Sequence, residues 1–226
     1  MKENKKGKAP VVTILMILIN VAVWMILEAL GSTQESLFML EHGASYAPFI
    51  LENGEWWRLF TSMFLHFGAQ HLCNNMLMLG LMGMRLEYVL GGVRFGILYL
   101  ASGLCGSLLS VWQEMNAGDI AVSAGASGAV FGVVGGLIAW AVWHKGQVEG
   151  LTLKGLFGMA ALSLYYGFST AGVDNWGHIG GFLGGIVIGC IFAILSKIVA
   201  FKKRKPYTKE VDIQADIPLN GGNNEN

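Results

Sequence analysis

Three polar clusters interrupt an otherwise apolar chain: HFGAQHLCNN at 66–75, GASGAVFG at 125–132 and WGHIGGFLGG at 176–185. A charge near the centre of a membrane helix costs about 2.5–3.5 kcal/mol on insertion scales, so polar groups in such surroundings call for a reason. Ser127 stands between Gly125 and Gly128, where backbone can approach a carbonyl without side-chain obstruction. A serine at a helix start also has free backbone N–H groups beside it, suited to a developing oxyanion. His178 is the residue type that takes a serine proton as general base and later protonates a leaving amine. His71 and Asn75 are four apart, so one helix face presents both, and both can donate to a single oxyanion. His66 precedes His71 by five residues, about 140° around a helix, which assigns it to the preceding loop with a structural role.

Each cluster also has a plainer reading. GASG alone fits small-residue packing or a helix N-cap, and one intramembrane histidine fits a structural polar group. Zinc held by His66, His71 and His178 is a rival, but the first pair lacks the HExxH arrangement and has no carboxylate between them. Asp119 and Asp174 fall in loops, so a Ser127–His178 dyad without a third carboxylate is the economical arrangement. No cofactor or metal is expected.

These residues need a scaffold, and composition says of what kind. Hydrophobic residues make up 54% of the 226 and charged residues 13%, about half the charge fraction of a soluble domain. A formal net charge of zero argues against a nucleic-acid partner, which needs surplus Lys and Arg against phosphate. Cys73, Cys105 and Cys190 lie in apolar runs with no CxxC pattern, and are expected as small buried hydrophobes rather than a disulfide framework.

After the basic start at 1–10, the stretch 11–30 is about twenty residues, which at 1.5 Å each matches a ~30 Å hydrocarbon core. It has no evident cleavage site and is expected as a retained first span. Further apolar stretches at about 69–87, 93–113, 125–143, 151–170 and 177–199 bring the expected total to six. Segment 31–68, with Pro48, Trp56, Trp57 and Phe60, is too long for a plain turn; it suits short interfacial helices or a soluble outer loop. The polar end, 201–226, has too little apolar surface to fold.

In a six-span arrangement Lys2, Lys5, Lys6, Lys8, Arg85, Arg94, Lys145, Lys154 and the basic run from Lys197 to Lys209 share one side, with Arg58 alone opposite. Both termini are therefore expected to be cytoplasmic, with Glu35, Glu41, Glu52, Glu55, Glu114, Asp119 and Asp174 outside. His178 is followed by Gly180, Gly181, Gly184, Gly185 and Gly189, and the fourth span offers Gly128, Gly132 and Gly136. Two such faces can pack closely and bring Ser127 and His178 to one depth.

Together the clusters resemble the rhomboid family of intramembrane serine proteases, in the family's order, from about Trp57 to Gly189. The resemblance implies an all-α polytopic membrane protein with a six-helix bundle over 11–200. It implies Ser127 as nucleophile and His178 as base, with His71 and Asn75 as oxyanion donors from the HxxxxHxxxN pattern that begins at His66. It further implies supporting roles for Gly125 and Gly128 in the GASG motif, and architectural ones for Trp57, Arg58 and Glu87. Phe131 departs from a tyrosine common in the family; stacking on the histidine is kept, the hydroxyl is not. The implied partners are single-span membrane proteins with helix-weakening residues near the cut, in the cell membrane. Two other classes compete: a non-catalytic member that binds client helices, and a small transporter using the three histidines, for which no internal repeat is visible.

Overall fold

The computed structural model describes residues 9–144, 146–170 and 172–203. Lys2, Lys5, Lys6, Lys8, Lys145 and the tail from Arg204 onward, on which part of the charge reading rests, lie outside the described residues.

Helix α1 spans Val11–Leu30, the bounds expected for the first span. Three short helices follow, α2 (Ser36–Glu41), α3 (Ala47–Leu51) and α4 (Arg58–Thr61), the last running into a 3₁₀ turn at Ser62–Phe64. The long connection thus folds into helical turns, with Leu37, Leu51, Trp56, Trp57 and Phe60 exposed. Its anchor is Arg58, 5% exposed, whose guanidinium donates to the Leu40 and Ala44 carbonyls at 2.6 and 3.0 Å and to Glu55 at 2.6 Å. Trp57 lies half exposed against that guanidinium, 4.6 Å from ring centroid to cation.

The second expected span is one continuous helical run in three parts: α5 (Gly68–Met78), a π segment at Leu79–Gly83, and α6 (Met84–Leu90). Near its end Glu87, 5% exposed, accepts from the Val12 and Thr13 backbone N–H groups at 3.0 and 2.7 Å and from the Thr13 hydroxyl at 2.7 Å. A carboxylate on the unpaired N–H groups of a helix start satisfies both partners, so Glu87 clamps the run onto α1.

Helix α7 (Gly92–Ala117) ends at Gly118, whose φ of 71° stops the helix in the left-handed region. Then come α8 (Ser127–Trp143), α9 (Leu153–Phe168) and α10 (Asn175–Lys203). Between α8 and α9 the sequence reading has only a loop. The structure has a two-stranded antiparallel hairpin, β1 (Gln147–Val148) with β2 (Leu151–Thr152), turned by Glu149 and Gly150 at positive φ.

Among the described residues three helices, Val11–Leu30, Gly92–Ala117 and the Asn175–Val199 part of α10, are long and apolar enough to cross a membrane; α8 is apolar but shorter. The core lies between α8 and the helices around it, with Leu79, Leu86, Phe95, Leu98, Tyr99, Val133 and Leu137 almost fully buried. Cys73 and Cys105 are exposed rather than buried, and Cys190 is half-buried. That corrects the sequence expectation: where lipid is the solvent, an apolar run does not tell an inward cysteine from an outward one.

Candidate active site

The seam that positions the site is made of glycines. A Cβ added at Gly181 would overlap the Gly128 carbonyl, one at Gly185 the Gly132 carbonyl, and one at Gly189 would meet the Gly136 Cα at 2.9 Å. Residues four apart on α10 therefore meet residues four apart on α8 with backbone against backbone. The same helix packs on α7: a Cβ at Gly180 would come within 2.7 Å of the Cys105 carbonyl, and one at Gly106 within 2.6 Å of the Gly177 carbonyl. The α8–α10 pairing follows the glycine spacing; the contact with α7 was not foreseen.

Ser127 is the first residue of α8, and the segment before it is held on all sides. Ser123 exchanges two backbone hydrogen bonds with Ser45, at 2.8 and 2.9 Å. The Gly125 N–H donates to the Ser62 carbonyl at 2.9 Å, and the Ala126 N–H to His66 Nε2 at 3.3 Å. His66 is fully buried in the loop before α5. Burial foremost, then the neighbouring His71, pushes its pKa down to about 3, so it is the neutral ring that accepts the Ala126 N–H.

Gly125 has φ +144°, a conformation side chains avoid. A Cβ there would lie 2.8 and 3.0 Å from Cε1 and Nε2 of His71 and 3.6 Å from the Ser127 hydroxyl. This glycine lets the His71 ring and the serine face one small space. The His66 and His71 rings meet edge to face, with centroids 5.2 Å apart.

His178 is in the first turn of α10, whose start is capped by Asp174: its carboxylate accepts from the Gly177 N–H at 2.7 Å, and its carbonyl from the His178 N–H at 3.2 Å. Burial raises the Asp174 pKa from its ordinary value, opposed by the Gly177 N–H and the Ser110 hydroxyl. Phe131 stacks on His178 with centroids 4.4 Å apart and planes 16° from parallel. His178 Nδ1 and Asn75 Nδ2 are buried without hydrogen-bond partners.

Ser127, His178, His71, Asn75 and Phe131 all line one cavity of about 1160 Å³, together with Tyr165, Tyr166 and Phe168 of α9 and Trp176 of α10. His66 is not on its wall, and Trp57, Arg58 and Glu87 stand in the framework described above. Glu114, Asp174 and Asn175 line the cavity too, although none was singled out as a site residue from sequence. Among the described residues no group of three or more His, Cys, Asp or Glu is arranged to hold a metal ion.

The rhomboid domain matches residues 53–195, which contain every one of these residues. The chain is 35% identical over 201 residues to rhomboid protease GluP of Bacillus subtilis (strain 168), covering 88% of this chain and 38% of that protein. It is 38% identical over 174 residues to RHOMBOID-like protein 1 of Arabidopsis thaliana, covering 75% of this chain and 43% of that one. It is 32% identical over 187 residues to Rhomboid-like protease 3 of Toxoplasma gondii, covering 80% and 67%. The chain thus spans less than half the length of the first two relatives. The family match over most of the chain, with the apolar helices, makes this a membrane-embedded multi-pass protein of the rhomboid family.

Proposed function

We propose that the chain is a serine endopeptidase that cuts peptide bonds in or near membrane-spanning helices, with Ser127 as nucleophile and His178 as general base. The observation that carries this reading is that Ser127, His178, His71 and Asn75 converge on one cavity, where Asn75 Nδ2 and His178 Nδ1 are buried without partners. An unpaired buried amide N–H is costly unless a ligand completes it, and an oxyanion is the acceptor this one lacks.

In the reaction His178 takes the hydroxyl proton as Ser127 attacks the scissile carbonyl. The tetrahedral oxyanion accepts from Asn75, His71 and the Ser127 backbone N–H, the last free because it opens α8. His178 then protonates the leaving amine, and water admitted to the cavity hydrolyses the acyl-enzyme by the same sequence in reverse roles. Phe131 fixes the imidazole plane by stacking. Gly125 and Gly128 keep the backbone around the nucleophile clear of side chains.

A substrate helix hides its carbonyls in its own hydrogen bonds, so it must unwind locally to react, and glycine or proline near the cut lowers that cost. Single-span membrane proteins are the substrates this favours. We also keep the six-span count, with the α5–π–α6 run, α8 and α9 completing the three long helices, and both termini cytoplasmic. The cell membrane is the expected location.

A serine-directed phosphonate probe tests the nucleophile. Labelling should fall on the Ser127 peptide and drop at least tenfold in His178→Ala; labelling elsewhere, or equal in both proteins, contradicts the dyad.

A further inference from the structure

The catalytic cavity has a wall that the chemistry above does not use. Glu114, one turn from the end of α7, is 9% exposed. Its Oε1 accepts from the Ser110 and Ser123 hydroxyls, each at 3.4 Å, while Oε2 is buried with no partner. Beside it on the cavity wall stand Asp119, Asp174 and Asn175. The Asn175 amide donates to the Val173 carbonyl at 3.3 Å, and its Oδ1 is again buried without a partner. Two orphaned acceptors from different helices, one of them not acidic, therefore belong to residues that line the cavity in which a substrate segment would lie. No Lys or Arg is among the described residues that line the cavity.

Desolvated acceptors without donors are expensive, and a ligand bringing N–H groups relieves both at once. Acceptors discriminate by what enters: an ammonium or guanidinium brings the donors this wall lacks and favours the ionised form of the carboxyl it meets, whereas a carboxylate brings no donor and repels any charge already there. Glu114 and Asn175 line the same cavity as Ser127 and His178, so the residue they read belongs to the segment that carries the cut bond.

Resting on the peptidase reading, we infer that Glu114, with Asn175 and the neighbouring carboxylates, forms a specificity subsite that favours a basic side chain near the scissile bond and rejects an acidic one. Glu114 is a specificity-determining residue in this account, and the dyad works without it.

The test uses the full chain in detergent with single-span reporters carrying Lys, Gln or Glu, one position at a time, within about four residues of the cut. Wild type should cleave the Lys reporter about tenfold faster than the Glu reporter at one position at least, the discrimination expected of a charge-assisted hydrogen bond at a buried site. Glu114→Gln should compress that ratio to below about threefold, while phosphonate labelling of Ser127 and cleavage of the Gln reporter stay within about twofold. Equal cleavage of the Lys and Glu reporters by wild type at every position overturns the subsite without touching the dyad, and needs no variant to fold. A preference unchanged in Glu114→Gln overturns Glu114 as its source. Absence of both labelling and cleavage in wild type is the separate signature of a failed peptidase reading, and takes the subsite with it.

Discussion

The two walls of the cavity are built on opposite terms. On one side α8 and α10, with α7 behind, meet through glycines so closely that an added methyl would strike backbone. On the other, α9 presents Leu162, Tyr165, Tyr166 and Phe168 largely exposed and buries chiefly Leu156, Ala160 and Gly167. The difference teaches where order is spent. On the peptidase reading Ser127 and His178 are the reacting groups, and the close seam that carries them matters because a displacement of about 1 Å between such groups can cost about a hundredfold in rate. Helix α9 buries few side chains, so displacing it costs less than parting the glycine seam.

The largest effect separates chemistry from packing. On the proposed mechanism Asn75→Ala removes an oxyanion donor carried by a helix outside the seam, and should lower kcat by about 10²–10³ with little change in Tm. A fall in Tm to match would mean that Asn75 serves packing instead. Gly181→Ala attacks the seam itself. Its methyl has only the Gly128 backbone to displace, so cleavage should fall about a hundredfold and Tm with it. Retained activity and Tm would show that the seam yields more readily than backbone contact allows.

Next comes pH. Between about pH 6.5 and 3 an unfolded chain binds a proton at residue 66 that the folded chain refuses, so folded stability should drop as pH falls through that window and level off below it. His66→Gln keeps an acceptor for the Ala126 N–H and removes the titration, so its Tm should fall less over the same range. Identical pH profiles would mean that the buried ring is not what couples the Ser127 loop to acid. The smallest effect belongs to the open wall: Tyr165→Ala with Tyr166→Ala should leave Tm nearly unchanged and phosphonate labelling within about twofold, because both side chains are about 70% exposed. A Tm loss as large as that of Gly181→Ala would erase the contrast between the walls.

Much of this was legible in the sequence, for physical reasons that differ from residue to residue. The glycines of α8 and α10 repeat every four residues, a period that only a helix face can use, so their meeting and the shared cavity of Ser127 and His178 could be read from spacing. The place of His66 in a loop followed from its angle to His71. The stack of Phe131 on His178 came from family resemblance alone.

What escaped was what depends on distant partners or on unusual local geometry. The π segment at Leu79–Gly83 leaves no mark on the hydropathy of an apolar run. Glu114 looks like an ordinary loop-edge carboxylate until Ser110, Ser123 and Asp174 are brought around it. Segment 120–126 carries no strand pattern, yet Ser45 and Ser62 tie it down from far earlier in the chain. Cysteine orientation was misread because the interior and the lipid are both apolar.

The most direct test of the central claim is cleavage of a fluorescent single-span reporter by the purified full chain, beside Ser127→Ala and His178→Ala. Loss of either member of such a pair should abolish cleavage to within background, about 10⁴-fold or more below wild type. Cleavage by wild type alone is the predicted result. Equal cleavage by all three proteins, or by none across varied reporters while the protein still binds client helices, would contradict it.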